Sequence, residues 1–176
     1  MEERTGAVTF KGKPVTLIGP EIQAGQRAPD FKLLDSSLKE VSLSQTRGKV
    51  RLLSVVYSVD TPVCDIQTRT FEEEAAKFSK AVIYSISMDL PFALKRYTGE
   101  HGIRKLKLLS DNREASFGTA YGLLIKESRL LARAIFIIDT DDIVRYVEYV
   151  REVTEPPDYD KAIEALKNVV YECARP

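Results

Sequence analysis

The chain has 176 residues, enough to bury one sizeable core. Its 26 Lys plus Arg are matched by 26 Asp plus Glu, so the formal net charge is zero and the balance gives no support for binding to nucleic acid or to a membrane surface. Two cysteines are too few for a disulfide scaffold in a chain this long, and a single His without a Cys/His cluster argues against a zinc site. The charged start, Met1 to Gly6, has no apolar leader core, and no apolar run approaches the roughly 20 residues that span a bilayer. A single domain over 1–176, located in the cytoplasm, is therefore expected.

In chain order, Thr9-Phe10 and Val15-Thr16-Leu17 flank Lys11-Gly12-Lys13-Pro14 and predict a small β-hairpin at about 8–18. Short extended pieces follow at Phe31–Leu34 and Val41–Leu43. Val50 to Ser58 is β-branched and apolar and predicts a central strand buried on both faces. A helix is expected over Thr61–Phe78, a second buried strand over Ala81–Met88, and a helix over Pro91–His101, opened by its proline. Leu106–Leu109 predicts a short strand, and Arg113–Tyr121 a helix stopped by Gly122. Ala132–Asp139 and Ile143–Val150 predict a hairpin about Thr140-Asp141-Asp142. After Pro156-Pro157, Asp158–Tyr171 has helical apolar spacing. Alternating strands and helices, then a hairpin and a helix, make an α/β pattern with a central mixed sheet flanked by helices.

The chemistry points to Cys64. Thr61 suits a helix N-cap and Pro62 the first helical position, which places Cys64 in the first turn. Free amides and the helix dipole favour an anion there, and so favour a thiolate. A small apolar side chain packed under the helix explains Cys64 equally well on these grounds. Asp65 opposes a thiolate if its carboxylate is near, so a further positive charge is needed. Arg133, inside the apolar run Leu131–Ile138, is one candidate; an edge position with its head in water is the other reading.

Six stretches carry a resemblance: VTFKGKPVTLIGPE at 8–21, APDFKLLD at 28–35, SVDTPVCDIQTRTFEEEAA at 58–76, SISMDLPFALKR at 85–96, LSDNREASFGTAYGLLIKE at 109–127 and ARAIFIIDTDDIVRYVEYV at 132–150. Collinear over nearly the whole chain, they resemble the bacterial thiol peroxidases, a branch of the peroxiredoxins. The resemblance implies a thioredoxin-like fold with the hairpin as an N-terminal extension. It also implies reduction of hydrogen peroxide and alkyl hydroperoxides with no metal or organic cofactor. It implies Cys64 as peroxidatic nucleophile passing through a sulfenic acid, Thr61 orienting the peroxide, and Arg133 stabilising the thiolate and the developing charge. Met88 and Phe92 would join Tyr57 as walls of the substrate pocket. A thioredoxin-like or small-thiol reductant and a homodimer are expected partners.

Two positions depart from the family pattern. The proline expected four residues before Thr61 is Tyr57, with lining the pocket, plugging it and filling core all open readings, and the resolving cysteine expected in the helix after the second strand is Thr98. Without that cysteine the usual intramolecular disulfide cannot form, and Cys173, the other cysteine, is expected to be a bystander, with resolution by it the lesser reading. A peroxidase of one-cysteine type and an impaired homologue acting as peroxide sensor or protein-binding module both remain open. A thioredoxin-like reductase is disfavoured because no Cys-x-x-Cys pair is present.

Overall fold

The computed structural model describes residues 1–175. The strands are β1 (Glu3–Phe10), β2 (Lys13–Ile18), β3 (Lys32–Leu34), β4 (Glu40–Ser42), β5 (Val50–Val55), β6 (Ala81–Ser87), β7 (Lys107–Ser110), β8 (Leu124–Ile125), β9 (Ala134–Ile138) and β10 (Val144–Tyr149). The helices are α1 (Pro62–Lys77), α2 (Pro91–His101), α3 (Ser116–Ala120) and α4 (Tyr159–Cys173). Seven strands form one mixed sheet in the order β10-β9-β5-β6-β7-β3-β4, and β1-β2-β8 form a second, smaller sheet. The β5–β6–β7 strands are parallel, and β9 returns antiparallel to β5. This is the α/β, thioredoxin-like architecture expected.

The sheet divides the core. On one face, Leu52 and Ile137 pack with Phe71 of α1, Leu94 of α2 and Leu166 of α4. On the other, Leu53, Val55 and Phe136 pack with Phe117 of α3 and with Val8 and Leu17 of the N-terminal hairpin. Alternate residues of β5 and β9 thus serve opposite faces, which is why both strands read as continuous apolar runs. Each such side chain, fully buried, contributes about 1.5–3 kcal/mol. Arg51 breaks the run in β5 and is fully buried. It donates to the Asp142 carboxylate, to Asp139 O at 2.8 Å and to Thr46 O at 3.1 Å, and these partners offset the cost of burying its charge.

Several boundaries differ from expectation. The hairpin begins at Glu3, and its turn is only Lys11-Gly12, both with positive φ (52° and 80°). That is the left-handed two-residue geometry that matches strand twist. Lys11 is strained there, and the Glu152 carboxylate compensates by accepting the amides of Lys11 (3.2 Å) and Gly12 (2.7 Å). The central strand stops at Val55, so Tyr57 lies in the bend beyond it. The helix expected from Arg113 starts only at Ser116, because Ala115 turns left-handed (φ 53°) and Asp111 accepts the amides of Phe117 and Gly118. The strand expected from Ala132 starts at Ala134, leaving Arg133 at its entrance. The last helix, expected over Asp158–Tyr171, runs on to Cys173. The short β8 was not expected; it closes the small sheet by pairing Leu17 with Ile125.

Candidate active site

The site is built where β5 ends and α1 begins. The intervening loop is tied down by Asp89, which follows β6: its carboxylate accepts Ser58 Oγ (2.8 Å), the Val59 amide (2.9 Å) and Ser87 Oγ (2.8 Å). Thr61 occupies the N-cap position in extended conformation, as expected, with Pro62 opening the helix. Its hydroxyl does not cap the helix; it donates to Ser58 O at 2.8 Å. The first-turn amides of Val63 and Cys64 therefore receive no side-chain cap from Thr61, and the hydroxyl oxygen keeps its lone pairs free to accept.

Cys64 is completely buried, in the core beneath α1. The Asp65 carboxylate is taken up by other partners. It is drawn toward α2, where it accepts the Tyr97 hydroxyl and pairs with Arg69 Nη2 at 3.0 Å. His101 Nε2 stands 3.6 Å from the same group. Burial alone would raise the Asp65 pKa, but the Tyr97 hydrogen bond and the Arg69 charge outweigh it and hold it below the ordinary carboxylate value.

Arg133 is 2% exposed, so the surface alternative does not hold. Its Nε donates to Val153 O at 3.0 Å and its Nη1 to Gln67 Oε1 at 2.8 Å. Gln67 in turn donates through Nε2 to Ser54 Oγ at 2.8 Å and to Val55 O at 3.3 Å. Gln67 lies one turn along α1 from Cys64, so one buried amide links the cysteine helix, the central strand and the guanidinium. Nη2 has no hydrogen-bond acceptor among the described residues, and Arg133 lines a cavity of about 310 Å³. That cavity is bounded by Thr61, Pro62, Val63, Tyr57, Phe10 and Val153, with Lys11 and Thr154 at its edge. The Tyr57 ring stacks on Phe10 of the hairpin, centroids 5.1 Å apart at 24°. Tyr57 is thus a wall of the pocket, held by a residue distant in sequence.

Met88 and Phe92 do not line this cavity, which corrects the expectation for both. Met88 is buried in the core cluster that also holds Val153, and Phe92 is 66% exposed on α2. The segment after β6 contributes through Asp89 instead. Cys173 is also remote. It borders a separate cavity beside Gly48, Lys49 and Val50, at the start of β5, whereas Cys64 follows the end of that strand. Tyr159, at the opposite end of α4, packs against the core cluster that contains Cys64, and fourteen helical steps of 1.5 Å separate it from Cys173 by about 21 Å. A disulfide requires Cα atoms within roughly 7 Å, so Cys173 does not reach Cys64 of the same folded chain. Gln67, Asp89, Phe10 and Val153 went unnoticed in the sequence. Only Gln67 carried a signal, a polar residue on the buried face of α1.

A model of the Redoxin family matches residues 23–163. The chain is 54% identical over 163 residues to a thiol peroxidase of Bacillus subtilis (strain 168), covering 93% of this chain and 98% of that one. It is 54% identical over 161 residues to a thiol peroxidase of Halalkalibacterium halodurans, covering 92% and 97%. Among solved structures, a peroxiredoxin-like protein from Aquifex aeolicus superposes with a TM-score of 0.88 at 39% identity, covering 94% of this chain and 97% of that chain.

Proposed function

The chain belongs to the Redoxin family, among the bacterial thiol peroxidases, and on that premise we propose that Cys64 is its peroxidatic nucleophile, with Thr61 and Arg133 as the groups that hold the peroxide. The activity is thiol-dependent peroxide reduction. The observation that carries the assignment of residues is the double tether of Arg133, to Gln67 and Val153, which holds it at the cavity over Thr61 with Nη2 lacking an acceptor among the described residues.

The thiolate sulfur of Cys64 attacks one peroxide oxygen in line. The S–O bond forms as the O–O bond breaks, and the leaving oxygen departs as water or an alcohol with the proton released by the thiol. Charge grows on that oxygen, and a guanidinium already fixed in place stabilises it without reorganising. The Thr61 hydroxyl, its own proton given to Ser58 O, accepts from the peroxide O–H and so orders the substrate. The product is Cys64 sulfenic acid. One external thiol condenses with it to a mixed disulfide and water, and a second thiol releases Cys64 and leaves as a disulfide.

With Thr98 at the family's resolving position and Cys173 about 21 Å along α4 from the site, resolution comes from a separate thiol, either a thioredoxin-like protein or a small molecule. The apolar wall of Phe10, Tyr57, Val63 and Val153 suits alkyl hydroperoxides as well as hydrogen peroxide. A homodimer in the cytoplasm completes the reading; exposed Leu90 and Phe92 at the start of α2 offer it apolar surface.

Reduced protein mixed with one equivalent of hydrogen peroxide, then of cumene hydroperoxide, tests this by intact mass and a sulfenic-acid trap. A rapid gain of one oxygen on Cys64, absent in Cys64→Ser and unchanged in Cys173→Ser, is expected. Oxidation no faster than that of an ordinary free thiol would favour the other reading, in which full burial of Cys64 and the Tyr57 and Thr98 replacements mark a peroxide sensor or binding module.

A further inference from the structure

Tyr159 is the first residue of α4, and its hydroxyl is sealed from solvent with no hydrogen-bond partner among the described residues. A phenol in a core almost always finds an acceptor, because an unpaired one forfeits its hydration for nothing. The ring is firmly placed, packed against Phe71 of α1 at 5.9 Å between centroids and against the core cluster that contains Cys64. The phenol shares that cluster with Cys64, and the charges of Cys64 and Arg133 act on it. It belongs to neither of Arg133's two hydrogen bonds, which go to Gln67 and Val153.

We propose that the Tyr159 hydroxyl is a catalytic hydrogen-bond donor to the oxygen that Cys64 takes from the peroxide. This rests on the reading of Cys64 as the nucleophile. The reduced sulfur gives the hydroxyl no bond. The transferred oxygen extends outward from that sulfur by one further covalent bond, toward groups that already surround it. The donor is then satisfied only as the S–O bond forms and in the sulfenic acid that follows, so its contribution goes to the transition state and not to the resting enzyme. The phenol remains a donor throughout: burial raises its pKa, Arg133 opposes that rise, and Cys64 reinforces it. Thr98 adds a reason for such a donor. With no cysteine at the family's resolving position, the sulfenic acid waits for an outside thiol, and a hydrogen bond to its oxygen holds it in place during the wait.

The test is Tyr159→Phe, which removes one oxygen atom and keeps the ring. Single-turnover oxidation of Cys64 by hydrogen peroxide is expected to slow about tenfold, as befits one hydrogen bond made in the transition state. The melting temperature of the reduced variant is expected to equal or exceed that of the original protein, because the hydroxyl has no partner to lose. A structural role predicts the reverse pair of results, with a lower melting temperature and an unchanged rate. An unchanged rate, or a variant that fails to fold, overturns the inference; the latter would mean that the hydroxyl has a structural partner. If Cys64 of the unaltered protein does not oxidise, the reading of the nucleophile fails and this inference falls with it. If the unaltered protein oxidises and Tyr159→Phe oxidises at the same rate, the inference alone is overturned.

Discussion

Arg133 Nη1 donates to Gln67 Oε1 across 2.8 Å, and Gln67 is carried by the same helix as Cys64. The guanidinium is therefore positioned by the cysteine's own helix as well as by the Val153 carbonyl. Any shift of α1 moves nucleophile and cation together.

Gln67→Leu removes this link at nearly constant volume. It leaves a buried guanidinium N–H and the Ser54 hydroxyl short of a partner, so stability falls by about 1–3 kcal/mol. Urea unfolding reads this loss. Arg133 also loses its aim, and kcat/KM for peroxide drops about tenfold, the worth of one oriented hydrogen bond. The kcat/KM for the thiol reductant should stay unchanged, because that half-reaction does not draw on the peroxide pocket. An equal fall in both would mean general damage rather than loss of positioning.

Tyr57→Pro restores the family residue. The Tyr57 amide makes no hydrogen bond among the described residues, so proline there costs no donor. The change removes the ring that stacks on Phe10 and widens the mouth of the cavity. The rate with cumene hydroperoxide should rise several-fold relative to that with hydrogen peroxide, because only the bulkier substrate is limited by the ring. A constant ratio of the two single-turnover rates would show that Tyr57 does not gate access.

Glu152 joins the hairpin turn to the loop that carries Val153. Its carboxylate accepts Gly12 N, Thr9 Oγ1 (2.9 Å) and the amide and hydroxyl of Thr154 (2.8 and 2.6 Å). Partial burial raises its pKa, but these bonds outweigh that and bring it to about 2 from 4.5. A depressed folded value means stability that is present above about 4.5 and lost as pH falls toward 2. Asp111 has the opposite sign: burial, partly offset by amide bonds, raises it to about 6, so its contribution is full below 3.8 and fades as pH rises through 6. Comparing Glu152→Gln with the original protein cancels Asp111. The variant should lose less stability between pH 4.5 and 2.5, and its Gly12 amide should already exchange faster at pH 7. Parallel pH profiles would sink the idea that Glu152 staples the hairpin to the site.

Much of this protein was legible in its residues alone. The strands β5, β6 and β9 declared themselves by apolar runs, α2 by its proline, and the start of α1 by Thr61-Pro62. These are local signals, set by side-chain period and by what proline permits. Cys64 stood out as the candidate nucleophile by its place in the first helical turn together with the resemblance of the surrounding stretches to thiol peroxidases. By itself, then, the sequence determined the α/β order and singled out Cys64 as the candidate nucleophile. Only the tertiary structure decided what surrounds that cysteine. Whether Arg133 faced water or the site depended on Gln67 and Val153, which lie 66 and 20 residues away. Whether Tyr57 filled core or walled a pocket depended on Phe10, and whether Cys173 could serve depended on the length of α4. Met88 fell outside the pocket because the core takes it up, and Phe92 because it stands exposed on α2. Such pairings are set by how elements cross in space, and no local pattern of residues encodes them.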